Sequence, residues 1–162
     1  VTKVKTVGDA YEVMRAFTAT EMATRPVESI VQSIADMASF SLEMLHSCQA
    51  TFAATGVPLH VRCGLAVGPA FACVIGSVRV SYDIFGLAPA RARLMEELSP
   101  VGNVTVSRDV YELLSAAQGP TSLSQSFGCV ASATFIPLSL SNTVYTSLST
   151  SYTLFYRPLA HI

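Results

Sequence analysis

The chain has no tryptophan, only two lysines (Lys3 and Lys5) and only 13% charged residues. With a net charge of -1 and a single arginine beyond Arg108, it has no cationic stripe to follow a phosphate backbone or an anionic bilayer. Nucleic-acid binding is therefore excluded on electrostatic grounds. No apolar run reaches the length of a bilayer, and the first residues lack the charged-then-apolar pattern of a leader, so no direct membrane span is expected. A membrane-anchored parent protein stays open. Four cysteines (Cys48, Cys63, Cys73, Cys129) form no C-x-x-C pair, and His46, His60 and His161 show no metal-ligand spacing. The thiols read as free and buried, in an intracellular, reducing compartment. Apolar residues are abundant instead, at 51% of 162. That composition implies one domain with a sizeable core and a surface poor in charge.

Periodicity places the elements. Lys3 to Val7 and Tyr11 to Phe17 alternate as strands around a Gly8-Asp9 turn, with Lys3, Lys5 and Val7 on one face by the period of two. Ile30, Ile34, Met37, Ala38, Leu45, Cys48 and Phe52 recur at helical spacing and predict a helix over Val27 to Ala54. A strand over Leu59 to Val67 is expected to break at Gly68-Pro69, followed by a hairpin of Phe71 to Ile75 and Val78 to Ile84 turned at Gly76-Ser77. A helix over Ala88 to Leu98 tolerates Pro89 in its first turn. A strand over Asn103 to Val106 leads to a helix over Arg108 to Ala116 capped by Ser107. Residues 117–151 are rich in Ser and Thr, with apolar islands at Phe127 to Val130, Ala133 to Leu140 and Val144-Tyr145. Leu154 to Tyr156, within 152–157, reads as a closing strand. The pattern is an α+β sheet with its helices on one face.

Lys5 and Asp9 stand four residues apart around the turn, a charged pair near a sheet rim that a plain solvated strand would also produce. Three stretches in register carry more. "KVKTVGDAYEVM" (Lys3 to Met14), "RCGLAVGPAFACVIGSVRVSYDIFG" (Arg62 to Gly86) and "ARLMEELSPVGNVTVSRDVYELL" (Ala92 to Leu114) resemble successive segments of the class III adenylyl and guanylyl cyclase catalytic domain. The resemblance implies the ferredoxin-like βαββαβ core of that fold, lacking its first strand, so that the sequence reads as an incomplete piece of a longer protein. Residues 1–116 match the core.

A cyclase drives a ribose 3'-hydroxyl onto the α-phosphate of a nucleoside triphosphate and releases pyrophosphate. In the family two Asp residues hold two metal ions for this step. Asp9 matches the second of them, and the first falls on the missing strand, so magnesium or manganese is expected only where a nucleotide site works. Lys5 and Asp83 match the two base-selecting positions in their adenine form. A Lys ammonium can donate to a ring nitrogen while a carboxylate accepts from the exocyclic amine. The same two residues could equally form a simple salt bridge.

Where the family has "DIWGNTVNVASRM", this chain has "DIFGLAPARARLM". Ala90 thus stands at the position of the ribose-orienting Asn and Leu94 at that of the phosphate-stabilising Arg. Arg91 and Arg93 are turned away from the direction of position 94 by the helical pitch. No Lys follows Lys5, although the family places one late in the fold for the triphosphate, and Arg157 falls after the closing strand.

Losing one preorganised donor costs about 2 to 4 kcal/mol of transition-state stabilisation, and several are missing. The leading expectation is an impaired adenylyl-cyclase-like domain that dimerises with itself or a second cyclase domain and scaffolds or regulates it. Half of a working adenylyl cyclase, completed by a partner, is the alternative. An adenine-nucleotide sensor is the third.

Overall fold

The structure, a computed structural model, describes residues 1–56, 60–118 and 150–159, the last stretch as backbone. The apolar islands between 121 and 149, Cys129 and His161 lie outside the described residues. The elements run β1 (Thr2–Val7), β2 (Ala10–Phe17), α1 (Ala19–Thr24), α2 (Val27–Thr55), β3 (His60–Ile75), β4 (Ser81–Gly86), α3 (Leu87–Leu98), β5 (Val104–Val106), α4 (Arg108–Gln118) and β6 (Thr150–Leu159).

β1 and β2 form a hairpin closed by Gly8-Asp9, with Val7 opposite Ala10. Gly8 takes φ 61° while no other residue type in the described chain has positive φ, as a turn with glycine at its first central position requires. The register slips between Lys3 and Lys5, so that Lys3 faces Val13 and Lys5 faces Glu12. Because Val13 and Glu12 are adjacent, Lys3 and Lys5 point to opposite faces, which corrects the same-face expectation. The extra residue Val4 is the physical reason, a bulge that breaks the period of two. Lys3 lies over the Tyr11 ring at 4.6 Å, while Lys5 reaches towards Asp83.

The strand order is β1-β2-β6-β3-β4, with β5 parallel to β3. β6 runs antiparallel to both neighbours, Tyr11 and Cys63 flanking Tyr156 from the two sides. It spans ten residues, so Arg157 lies inside this strand and not after it. The expected break at Gly68-Pro69 is also absent: β3 runs straight through, its first part paired with β6 and its last part with β4. Pairing with Ser151 and Thr150 of β6 overrides the local turn signal, and Gly68 absorbs the irregularity with φ 159°. The hairpin turn is longer than Gly76-Ser77, since β4 starts only at Ser81.

Helices cover both faces of this sheet, not one. The odd-numbered β3 residues Val61, Cys63, Leu65 and Val67 join Val13, Phe17, Ile34, Met37, Ala38, Val110 and Leu114 in the main core beneath α2 and α4. The even-numbered Ala66 packs with Ala10 and Ala92 under α3. Gly64 marks the closest approach on that side: a Cβ there would stand 2.2 Å from the Ala92 carbonyl oxygen and from the Glu96 amide nitrogen. Close helix-on-strand contact of this kind requires glycine. The expectation of a one-faced layer failed because a strand buried on both sides has no alternation to read.

Two local expectations change as well. Ser107 does not cap α4 through its side chain, since its buried hydroxyl has no partner among the described residues, although its carbonyl accepts from the Tyr111 amide. The helix α1 went unforeseen despite a capping box, in which Thr18 Oγ1 accepts from the Glu21 amide at 3.2 Å and Glu21 accepts from the Thr18 amide at 2.9 Å. Cys48 and Cys63 are buried thiols outside any disulfide, whereas Cys73 is only half-buried, and burial pushes the Cys63 thiol up to about 12, with Cys48 and Glu96 adding to the effect.

Candidate functional site

β1 and β4 stand at opposite ends of the strand order, yet the sheet curves far enough for them to meet. Lys5 Nζ lies 2.5 Å from Asp83 Oδ1, a pair whose side chains are about three-quarters buried or more. The same Oδ1 accepts from the Ile84 amide at 2.8 Å. Neither bond uses Asp83 Oδ2. An N–H donor thus sits beside a carboxylate with an acceptor to spare, the order an adenine edge asks for with its ring nitrogen and exocyclic amine. The Lys5 hydrogen bond, then the Ile84 amide, hold the Asp83 carboxyl below the ordinary carboxylate range, with Lys5 and Arg93 charge acting in the same direction.

Beneath this pair lies a residue that sequence reasoning passed over. Glu12, opposite Lys5 on β2, is 2% exposed, and its Oε2 is 3.9 Å from Lys5 Nζ. Burial pushes its carboxyl up from the ordinary value against the pull of Lys5 and Arg93. Arg93 on α3 therefore also belongs to the neighbourhood, acting electrostatically on both carboxylates. The available signal was a charged residue inside the otherwise apolar run Tyr11-Glu12-Val13-Met14.

The remaining candidates are dispersed. Asp9 is exposed at the hairpin tip, and among the described residues no three His, Cys, Asp or Glu side chains converge to hold a metal ion. The described donor set does not by itself make a metal centre. Ala90 is exposed and Leu94 half-buried on α3. Arg91, one residue from Ala90, is engaged elsewhere, its Nη1 2.5 Å from Asp109 Oδ2 at the start of α4.

At the far end of β3, Phe71, Val74 and Ile75 are exposed together with Val78, Val80, Tyr82 and Phe85. Phe71 stacks on Phe85 across the hairpin at 5.8 Å.

The mixed sheet with its hairpin arm and helices is the fold of a nucleotidyl cyclase domain. The chain belongs to the adenylate and guanylate cyclase catalytic domain family, whose model matches residues 1–132. It is 37% identical over 112 residues to an adenylate cyclase of Mycobacterium tuberculosis, covering 69% of this chain and 23% of that protein. A receptor-type guanylate cyclase of Caenorhabditis elegans is 32% identical over 117 residues, covering 70% of this chain and 10% of the relative. A rat soluble guanylate cyclase subunit, beta-2, is 32% identical over 123 residues, at 70% and 17%. The chain thus spans under a quarter of each of these relatives. No solved structure matches it. Among the described residues no helix is long and apolar enough to cross a membrane.

Proposed function

We propose that this chain is an adenylate-cyclase-like domain that keeps an adenine-binding pocket but does not turn nucleotide over. In this reading it pairs with a copy of itself or with a second cyclase domain, and serves as a dimerisation, scaffolding or regulatory module in cyclic-nucleotide signalling.

One contrast within a single site carries the reading. The Lys5–Asp83 pair is assembled at 2.5 Å, while Ala90 and Leu94 offer no polar atom where a ribose and a pentavalent phosphate would need one. Base recognition needs only a donor and an acceptor held side by side. Phosphoryl chemistry needs charge aimed at the reacting oxygens, and each missing donor weakens it about a hundredfold or more. Magnesium or manganese would fall to Asp9, and one carboxylate at a hairpin tip does not hold two ions. No catalytic step is therefore assigned to this chain.

Purified protein supplied with manganese and ATP is expected to form cyclic AMP no faster than a blank. Turnover that Asp9→Ala abolishes would overturn the impaired-enzyme reading and favour half of a working adenylyl cyclase, for which the intact base pair is the supporting observation. Calorimetry is expected to give similar affinities for ATP and adenosine, since triphosphate contacts are missing. A preference for GTP, or a large gain from the triphosphate, would contradict the adenine assignment.

A further inference from the structure

Lys5 has two carboxylate neighbours, and the base pocket uses only one of them. Asp83 meets its ammonium at 2.5 Å; Glu12 approaches from the buried side at 3.9 Å. Resting on the adenine-pocket reading above, we propose that Glu12 is a positioning residue of that pocket, holding the Lys5 ammonium from beneath at the point where it donates to a purine ring nitrogen.

A lysine carries its charge on a four-carbon stem with three rotatable donors, so one anchor leaves it free to swing. Two carboxylates on different strands triangulate it. Glu12 belongs to β2, Asp83 to β4, and Lys5 reaches between them from β1. Glu12 is 2% exposed, so it cannot touch a ligand and acts only through Lys5. Its Oε2 has no hydrogen-bond partner among the described residues. A movement of Lys5 by about 1 Å would bring the ammonium within hydrogen-bonding distance of that oxygen. The contact is thus ready to tighten when a base draws on Asp83, and the otherwise costly burial of a carboxylate oxygen without a hydrogen bond acquires a purpose.

The charged groups facing Glu12 are Lys5 from β1, Asp83 from β4 and Arg93 from α3. With Glu12 ionised, two cations and two carboxylates balance. Burial raises the Glu12 carboxyl from its ordinary value while Asp83 is depressed, so the two titrate in separate ranges.

The test is calorimetric titration of the whole chain with adenosine and with ATP, from neutral to mildly acidic pH. Glu12→Gln is expected to weaken adenosine binding about tenfold at neutral pH, equivalent to about 1.4 kcal/mol. Wild-type affinity is expected to fall on acidification before Asp83 begins to protonate, and the Glu12→Gln curve to lack that limb. In a Lys5→Met background, Glu12→Gln should cost nothing further. Equal affinity and an identical pH profile for wild type and Glu12→Gln would overturn the proposal while leaving the adenine pocket standing. A wild-type protein that binds neither adenosine nor ATP would remove both. The Lys5 Nζ nuclear magnetic resonance signal, followed through the same titration in wild-type protein, needs no variant; a signal indifferent to Glu12 protonation also overturns it.

Discussion

The two ends of β3 belong to one strand and have opposite fates. From Val61 to Val67 it is buried almost without interruption, held by β6, β5 and α3 and backed by α2 and α4. From Phe71 to Ile75 it is paired, among the described residues, only with β4 and shows apolar side chains to solvent, Phe71 at 62% exposure, leading to Val78 at 94% in the turn. The exposed end is the more hydrophobic of the two in sequence, FACVI against VRCGLAV. Packing partners, not composition, separate core from surface, and an apolar arm left uncovered by the described residues is the kind of surface that a second domain covers.

The sharpest test of the buried end is Gly64→Ala. The added methyl would meet the backbone of Ala92, Met95 and Glu96, none of which can give way without moving α3. A loss of about 3 kcal/mol or more is expected, with Tm falling by roughly 10 °C; a variant as stable as the parent would mean that α3 does not sit this close.

Glu12→Gln should move stability the other way. A carboxyl whose folded value is raised is no burden below the ordinary Glu value and becomes one as pH rises through the elevated value, where the fold must hold a buried charge. At neutral pH the variant is expected to gain about 1 kcal/mol, and the gap should close on acidification. A gap that widens in acid would show that Glu12 is not buried as an ionised group.

Asp83→Asn cuts the tie between the arm and β1. The depressed Asp83 carboxyl contributes stability above its ordinary value, which is lost as pH falls through the lowered one. The expected cost is about 1 kcal/mol at neutral pH, vanishing in acid, with hydrogen exchange in β4 increasing more than in the first part of β3. Uniform acceleration throughout the sheet would deny that the arm is a separable unit.

The smallest effect on folding is expected at the tip. Phe71→Asp gives up an exposed side chain and its stacking on Phe85, a loss of about 1 kcal/mol or less. It should nevertheless release folded monomers from any self-associated form, as sedimentation would show. Sedimentation of the unmodified full-length parent as a monomer with no cyclase-like partner would reject the interface assignment.

Much of this fold was legible in the sequence because local rules were obeyed. The hairpin at Gly8, the long helix with Ile34, Met37 and Leu45 buried, and the helix beginning near Pro89 all follow from periodicity and turn chemistry. What failed did so for non-local reasons. Gly68-Pro69 stays extended because β6 pairs along it, Lys3 and Lys5 part company through a bulge that no alternation announces, and α3 takes the second face because Gly64 leaves room for it. At the candidate site the pairing of Lys5 with Asp83 followed from resemblance, whereas Glu12 was passed over because a glutamate in a strand ordinarily faces water.

The place of β6 bears on how the molecule comes into being. It occupies the middle of the sheet, yet it is the last described element of the chain. Among the described strands it alone pairs with both the β1–β2 hairpin and the β3–β4 arm, which share no strand pairing of their own. Thr150 to Leu159 thus stitches the two pieces into one sheet. Pairing between residues so far apart in sequence is slow to form. Deleting residues 150–159 would leave the facing edges of β2 and β3 unpaired among the described elements, and self-association through those edges is the expected result.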